Sequence, residues 1–143
     1  MKISSRFSVA IHIISLLELN EISSLTSEYI AASVNTNPVV IRRILGMLKK
    51  NGIVNMNRGS GGAYLVKQVE NITMLEVYKA VCEIEDEQLF RIHENPNPDC
   101  PIGANIQVVV NSSLVRAQEA MENVLEKTTL ADITKDLAGK IEV

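Results

Sequence analysis

No tryptophan occurs in this chain of 143 residues, and only 3% of it is aromatic. A core without large rings is aliphatic, built from Ile, Leu, Val, Ala and Met, which leans toward packed helices. Hydrophobic residues reach 46%, and a single domain of this length can bury a sizeable core. Cysteine is scarce. Two cysteines without a secretory signal make no disulfide framework. Long apolar runs are missing too. The N-terminal stretch is interrupted by Ser5, Ser8, His12 and Ser15. It falls short of the ~18 unbroken apolar residues of a membrane span, and it lacks a small-residue cleavage site. These absences predict a cytoplasmic chain with no membrane partner. There is also no phosphate-binding glycine loop after a strand, no metal-ligand pair at helical spacing and no nucleophile–base pair, which argues against an enzyme.

The most informative absence is local. From Tyr29 to Val69 there is no acidic residue, but there are six basic ones: Arg42, Arg43, Lys49, Lys50, Arg58 and Lys67. The remainder holds 8 basic and 17 acidic residues, and the whole chain is net −3. An acidic protein has gathered its positive charge in one stretch, and binding to nucleic acid depends on such a local patch rather than on the total.

That stretch has a definite build. Thr26 can cap a helix whose first turn holds Ser27 and Glu28. Tyr29, Ile30, Ala31 and Val34 supply its buried face, and Asn35-Thr36 makes a turn. Asn37 is then an N-cap with Pro38 at the first helical position. Val40, Ile41, Ile44, Leu45 and Leu48 repeat with a period near 3.6, leaving Arg42, Arg43, Lys49 and Lys50 off the core face. Asn51-Gly52 ends the helix, with Gly52 left-handed. Ile53–Asn57 and Ala63–Val66 are expected as short strands around the turn Arg58-Gly59-Ser60-Gly61-Gly62. Two helices and a glycine-rich hairpin make a winged helix-turn-helix.

The flanks are expected to hold this unit. Residues 5–20 form a helix with two apolar faces, Phe7, Ala10, Ile11, Ile14 and Leu17 on one and Val9, Ile13 and Leu16 on the other. Such breadth requires burial on two sides, with a partly buried His12 at a packing edge. Thr73 and Glu76 fit a capping box, and Ile72 and Val77 a hydrophobic staple, for a helix running to about Cys82. An acidic run, Glu83–Glu87, follows. The loop His93–Gly103 packs three prolines into six residues and is expected to be irregular. Residues 104–127 then form the longest helix, ~34 Å. Its seam, Ile106, Val110, Leu114, Ala117, Met121 and Val124, has more apolar surface than a small wing domain can cover, so it is expected to pair with its copy in a homodimer. Thr129 and Asp132 cap a short last helix. The fold class is thus mainly α with a small β-hairpin wing, divided as 1–82 for DNA binding, 83–103 as a sensor loop and 104–143 for dimerisation.

The residues M-K-I-S-S-R-F-S-V-A-I-H, L-T-S-E-Y-I-A, N-P-V-V-I-R-R-I-L, R-G-S-G-G-A-Y and H-E-N-P-N-P-D-C-P-I-G together resemble the Rrf-two family of bacterial winged-helix transcription regulators over roughly residues 1–138. The N-terminal helix and the R-G-x-G-G-x-Y wing are the most specific pieces. The resemblance implies a homodimer that binds a partly palindromic double-stranded DNA operator, and the leading reading of the function is a repressor. Cluster-binding members carry three cysteines in the loop before the long helix. Here that loop has only Cys100, which argues against an iron–sulfur cofactor.

On this reading Thr36, Asn37, Pro38, Val39, Val40, Arg42 and Arg43 face the major groove, where Arg can grip guanine and Val a thymine methyl. Arg42 and Arg43 point about 100° apart, so at best one reads a base and the other meets a phosphate. Both as solvated surface residues is the bland alternative. Thr26 and Ser27 would clamp a phosphate at a helix N-terminus, and Arg58, Gly59, Ser60 and Gly61 would reach the minor groove. Cys100, ahead of a helix N-terminus, is a candidate redox or electrophile switch, an inert loop cysteine or a ligand contact. With His93 it provides too few ligands for a metal site. Cys82, in line with Leu75 and Tyr78, is expected as a small buried hydrophobe. The alternatives to this function are control by a small-molecule or protein ligand, or a winged-helix protein-interaction module that binds no DNA.

Overall fold

A computed structural model describes residues 5–59, 61–82 and 89–141. Ser60 of the wing, the acidic run Glu83–Glu87 and the first four residues lie outside the described residues. Six α-helices and one hairpin follow in the order α1 (Ser5–Leu19), α2 (Ser27–Val34), α3 (Pro38–Lys50), β1 (Val54–Met56), β2 (Ala63–Leu65), α4 (Met74–Val81), α5 (Pro101–Lys127) and α6 (Leu130–Ile141). A single 3-10 turn, Val69–Asn71, leads into α4.

Local signals account for most boundaries. Thr26 accepts the Tyr29 N–H at the start of α2. Asn35 closes that helix in the left-handed conformation, φ 65°. Asn37 Oδ1 accepts the Val39 N–H at 2.8 Å, and Pro38 opens α3. Gly52 (φ 74°) ends it, with the Gly52 and Ile53 N–H groups returned to the Lys49 and Leu48 carbonyls. At α6 the capping box is reciprocal: Thr129 N–H donates to Asp132 Oδ2 and Asp132 N–H to Thr129 Oγ1. At α4 only half of it forms. Glu76 N–H donates to Thr73 Oγ1, but the Glu76 carboxylate is taken by Lys67. A charged partner attracts it more strongly than a backbone N–H does.

The core lies between α1, the helix-turn-helix and α4. Ala10, Ile13 and Ile14 from α1 meet Ile30 and Ala31 from α2, and Ile41, Ile44, Leu45 and Leu48 from α3. Ile53, Val54, Ala63, Ile72, Val77, Val81 and Leu130 complete it. Burying each Ile or Leu contributes about 1.5–3 kcal/mol. Helix α1 is covered on both sides, by α2, α3, β2 and α4 and by the distant α6, which explains its two apolar faces. Phe7 meets Tyr78 edge-on, with ring centroids 5.5 Å apart. His12 is not part-buried. It is exposed, and its Nε2 lies 3.0 Å from Ser33 Oγ on α2.

The long helix departs from expectation at its start. It begins at Pro101, three residues earlier than the proline count suggested, because Pro101 occupies the first helical position, where a missing N–H costs nothing. At 27 residues it is about 40 Å long, and none of those residues is buried. The proline loop folds onto its first turn, and Gln107 Nε2 donates to the His93 carbonyl. A Cβ on Gly103 would lie 2.3 Å from the Asn97 carbonyl oxygen, so only glycine lets loop and helix close this tightly.

Candidate nucleic-acid interface

Helix α3 is divided cleanly. Its inner face is fully buried through Ile41, Ile44, Leu45 and Leu48. Its outer face exposes Val39 (62%) and Val40 (41%) beside Arg42 and Arg43. The 3.6-residue period assigned Val40 to the core. Its position in the first turn instead carries it to the open face, beside Val39. Thr36 is half-buried and Asn37 exposed in the turn before it, with the Asn37 side chain already engaged as cap. Arg42 crosses to the neighbouring helix, its Nη1 3.3 Å from Glu28 Oε1.

At the start of α2, Thr26 is exposed but Ser27 is 8% exposed. The Ser27 side chain therefore packs inward, away from the phosphate clamp expected of the pair, while Thr26 stays exposed. Lys67, counted in the basic stretch, is drawn back to Glu76. Arg42, Arg43, Lys49, Lys50 and Arg58 all remain exposed.

The wing pairs Val54 with Leu65, Asn55 with Tyr64 and Met56 with Ala63. Arg58 and Gly59 stand exposed at its tip, where Gly59 (φ 89°) and Gly61 (φ 69°) take left-handed conformations closed to most side chains. The turn end of the wing carries a feature that the sequence reading missed. Leu25 and Ala63 exchange both backbone hydrogen bonds, at 3.0 and 2.7 Å, which lays a third chain segment beside the hairpin. Gly62 lies so close to Ser24 that a Cβ would sit 2.6 Å from its Oγ. The third glycine of the turn thus fixes the hairpin to the loop before α2. Only the unusual glycine density hinted at it.

Cys100 is the N-cap residue of α5. The N–H of Gly103 and, next, that of Ile102 favour its thiolate and hold its pKa below that of an ordinary thiol. His93 is exposed in the same loop, its carbonyl bound by Gln107. Cys82 lies just past α4 as its C-cap and is half-exposed, not fully buried as expected, because the helix ends at Val81. Among the described residues, no group of three or more His, Cys, Asp or Glu comes together. On α5, Ile106, Val110, Leu114 and Met121 are half-buried, while Ala117 and Val124 are exposed. Ile102, Val108, Val109 and Val115 are exposed as well. No helix among the described residues is long and apolar enough to cross a membrane.

The profile of the Rrf2 family, described as iron-dependent transcriptional regulators, matches residues 3–136. The chain belongs to the Rrf2 family. It is 48% identical over 135 residues to a Bacillus subtilis (strain 168) protein provisionally named HTH-type transcriptional regulator YwnA, with 94% of this chain and 98% of that one covered. A crystal structure assigned provisionally as a DNA-binding protein shares 43% identity at a TM-score of 0.73, over 90% of this chain and 98% of that chain. The global cysteine regulator CymR of B. subtilis shares the fold at a TM-score of 0.70 with 20% identity, over 94% and 97% of the two chains. As an Rrf2 member, the protein is a DNA-binding transcription regulator and not an enzyme. The description "iron-dependent" raises the question of an iron–sulfur cluster. The donor set does not fit one. The chain has two thiols, one capping α5 and one ending α4, whereas a cluster takes about four ligands, usually thiolates.

Proposed function

We propose that this Rrf2 regulator acts in the cytoplasm as a homodimeric repressor of a palindromic operator. The observation that carries this reading is the division of α3: every inward position is buried aliphatic, and the outward face presents Val39, Val40, Arg42 and Arg43 with no competing core role. Thr36, Asn37 and Pro38 bring the start of α3 against the major groove, where base edges are distinguishable. Thr26 and the N-terminus of α2 take a backbone phosphate. Arg58, with Gly59 and Gly61 beside it in the turn, enters the neighbouring minor groove. The exposed apolar residues of α5 support its pairing with a second copy, which would set two recognition helices at fixed spacing.

Regulation is assigned to Cys100. Its favoured thiolate attacks peroxide, taking one oxygen to give sulfenic acid and releasing hydroxide. The modified group sits at the joint between the proline loop and α5, where it would disturb the seating of the dimer helix. The ligand-controlled alternative has one observation in its favour, an apolar groove of about 440 Å³ between α1 and α6, lined by Ile11, Leu16, Leu19, Ile133, Leu137 and Ile141.

Gel-shift titration of the promoter beside the protein's own gene tests the interface. Arg42→Ala, Arg43→Ala and Arg58→Ala should each weaken binding at least about fivefold with the fold intact by circular dichroism. Unchanged binding by all three rejects the docking geometry. Peroxide treatment should change affinity in the wild type and leave Cys100→Ser unchanged. An identical response in both removes the switch.

A further inference from the structure

The two helices of the helix-turn-helix carry one carboxylate between them, Glu28, in the first turn of α2. It stands next to the acid-free stretch and is bonded across the motif to Arg42, with Nη1 to Oε1 at 3.3 Å. Both side chains are exposed, 53% for Arg42 and 70% for Glu28. A screened pair of this kind adds little to stability, so its consequence is to be sought on the DNA side. Building on the major-groove reading above, we propose that Glu28 is a positioning residue for sequence discrimination, which holds Arg42 for guanine and withholds it from phosphate.

The chemistry follows from the guanidinium. It has five donors in a planar fork, and the contact with Glu28 engages Nη1 alone. The remaining donors can meet a pair of aligned, uncharged acceptors such as guanine O6 and N7. A phosphate gains less from the same arginine, because its negative charge must approach the Glu28 carboxylate. The pair therefore cancels the charge that Arg42 would otherwise give to any DNA and leaves its geometric selectivity intact. The competing role for Glu28 is to favour the N-terminus of α2 through the helix dipole. That role would alter stability and not the salt dependence of DNA binding.

Fluorescence anisotropy tests this with two duplexes of about 30 base pairs, roughly three helical turns. One is of arbitrary sequence, and the other is selected by the wild-type protein from a randomised pool. Glu28→Gln should bind the arbitrary duplex more tightly, and its log–log salt slope should steepen by about 1.8 as one more phosphate is neutralised per protomer of the dimer. The ratio of selected to arbitrary affinity should fall at least about fivefold. With Arg42→Ala already present, Glu28→Gln should change the slope by less than half as much. A wild-type slope and ratio in Glu28→Gln overturns the proposal, and so does an equal change in both backgrounds, which would make Glu28 a plain surface charge. No binding of either duplex by the wild type would overturn the major-groove reading itself, and this proposal with it.

Discussion

Helices α3 and α5 use the same aliphatic residues to opposite ends. In α3 four large side chains are wholly buried and the outward face is basic and valine-studded. In α5, twice as long, nothing is buried, and Ile102, Val108, Val109, Val115 and Val124 meet solvent. The first helix is finished within one chain, and the second is not. Exposed apolar surface along ~40 Å of helix is where the proposed pairing with a second copy would act. The contrast separates a helix whose apolar face is covered within the chain from one whose apolar face the proposed pairing with a second copy would cover.

The contrast can be broken at its strongest point first. Ile44→Ala should cost about 2–5 kcal/mol in urea unfolding, because its site in the core cannot collapse freely. Val109→Ala on α5 should leave the unfolding of the α1–α4 unit unchanged. Equal losses from the two would dissolve the distinction. Next in size, Val109→Glu combined with Val124→Glu should convert dimer to monomer by sedimentation equilibrium and weaken operator binding about a hundredfold through lost bivalency. A dimer that survives both charges would place the interface elsewhere.

Smaller effects sharpen the joint between the two regions. The pKa of Cys100 is lowered in the folded protein, so the folded chain holds more thiolate at a given pH than the unfolded chain does. Iodoacetamide labelling of Cys100 should therefore show a lower midpoint in the native protein than in urea. The stabilisation that the thiolate contributes is complete above the unfolded pKa and fades as pH falls through the folded one. Gly103→Ala, whose Cβ would meet the Asn97 carbonyl, should raise the native midpoint toward the ordinary thiol value. Smallest of all, Gly139→Ala on α6, with no atom near the added methyl, should stabilise the fold by up to about 1 kcal/mol in thermal unfolding.

Local signals made the reading unit legible in the sequence. The caps Thr26 and Asn37, the stop at Gly52 and the period of Ile41, Ile44, Leu45 and Leu48 are short-range, and each mechanism survives in the fold. The failures lie where tertiary partners compete. Glu76 leaves its capping box for Lys67, and Ser27 turns into the core. Val40 faces out although its spacing fits the buried set. The bridge between Leu25 and Ala63 and the contact of Gly62 with Ser24 join segments nearly 40 residues apart, which no local pattern encodes. Proline counting also misled at Pro101, since the residue that breaks a helix interior suits its first turn.

In the proposed dimer the exposed basic face of the helix-turn-helix and wing engages DNA twice per molecule. The salt dependence of operator affinity tests it most directly. With about four phosphates neutralised by each protomer, log affinity against log salt should fall with a slope near −7. A slope near zero on the same operator would contradict the account.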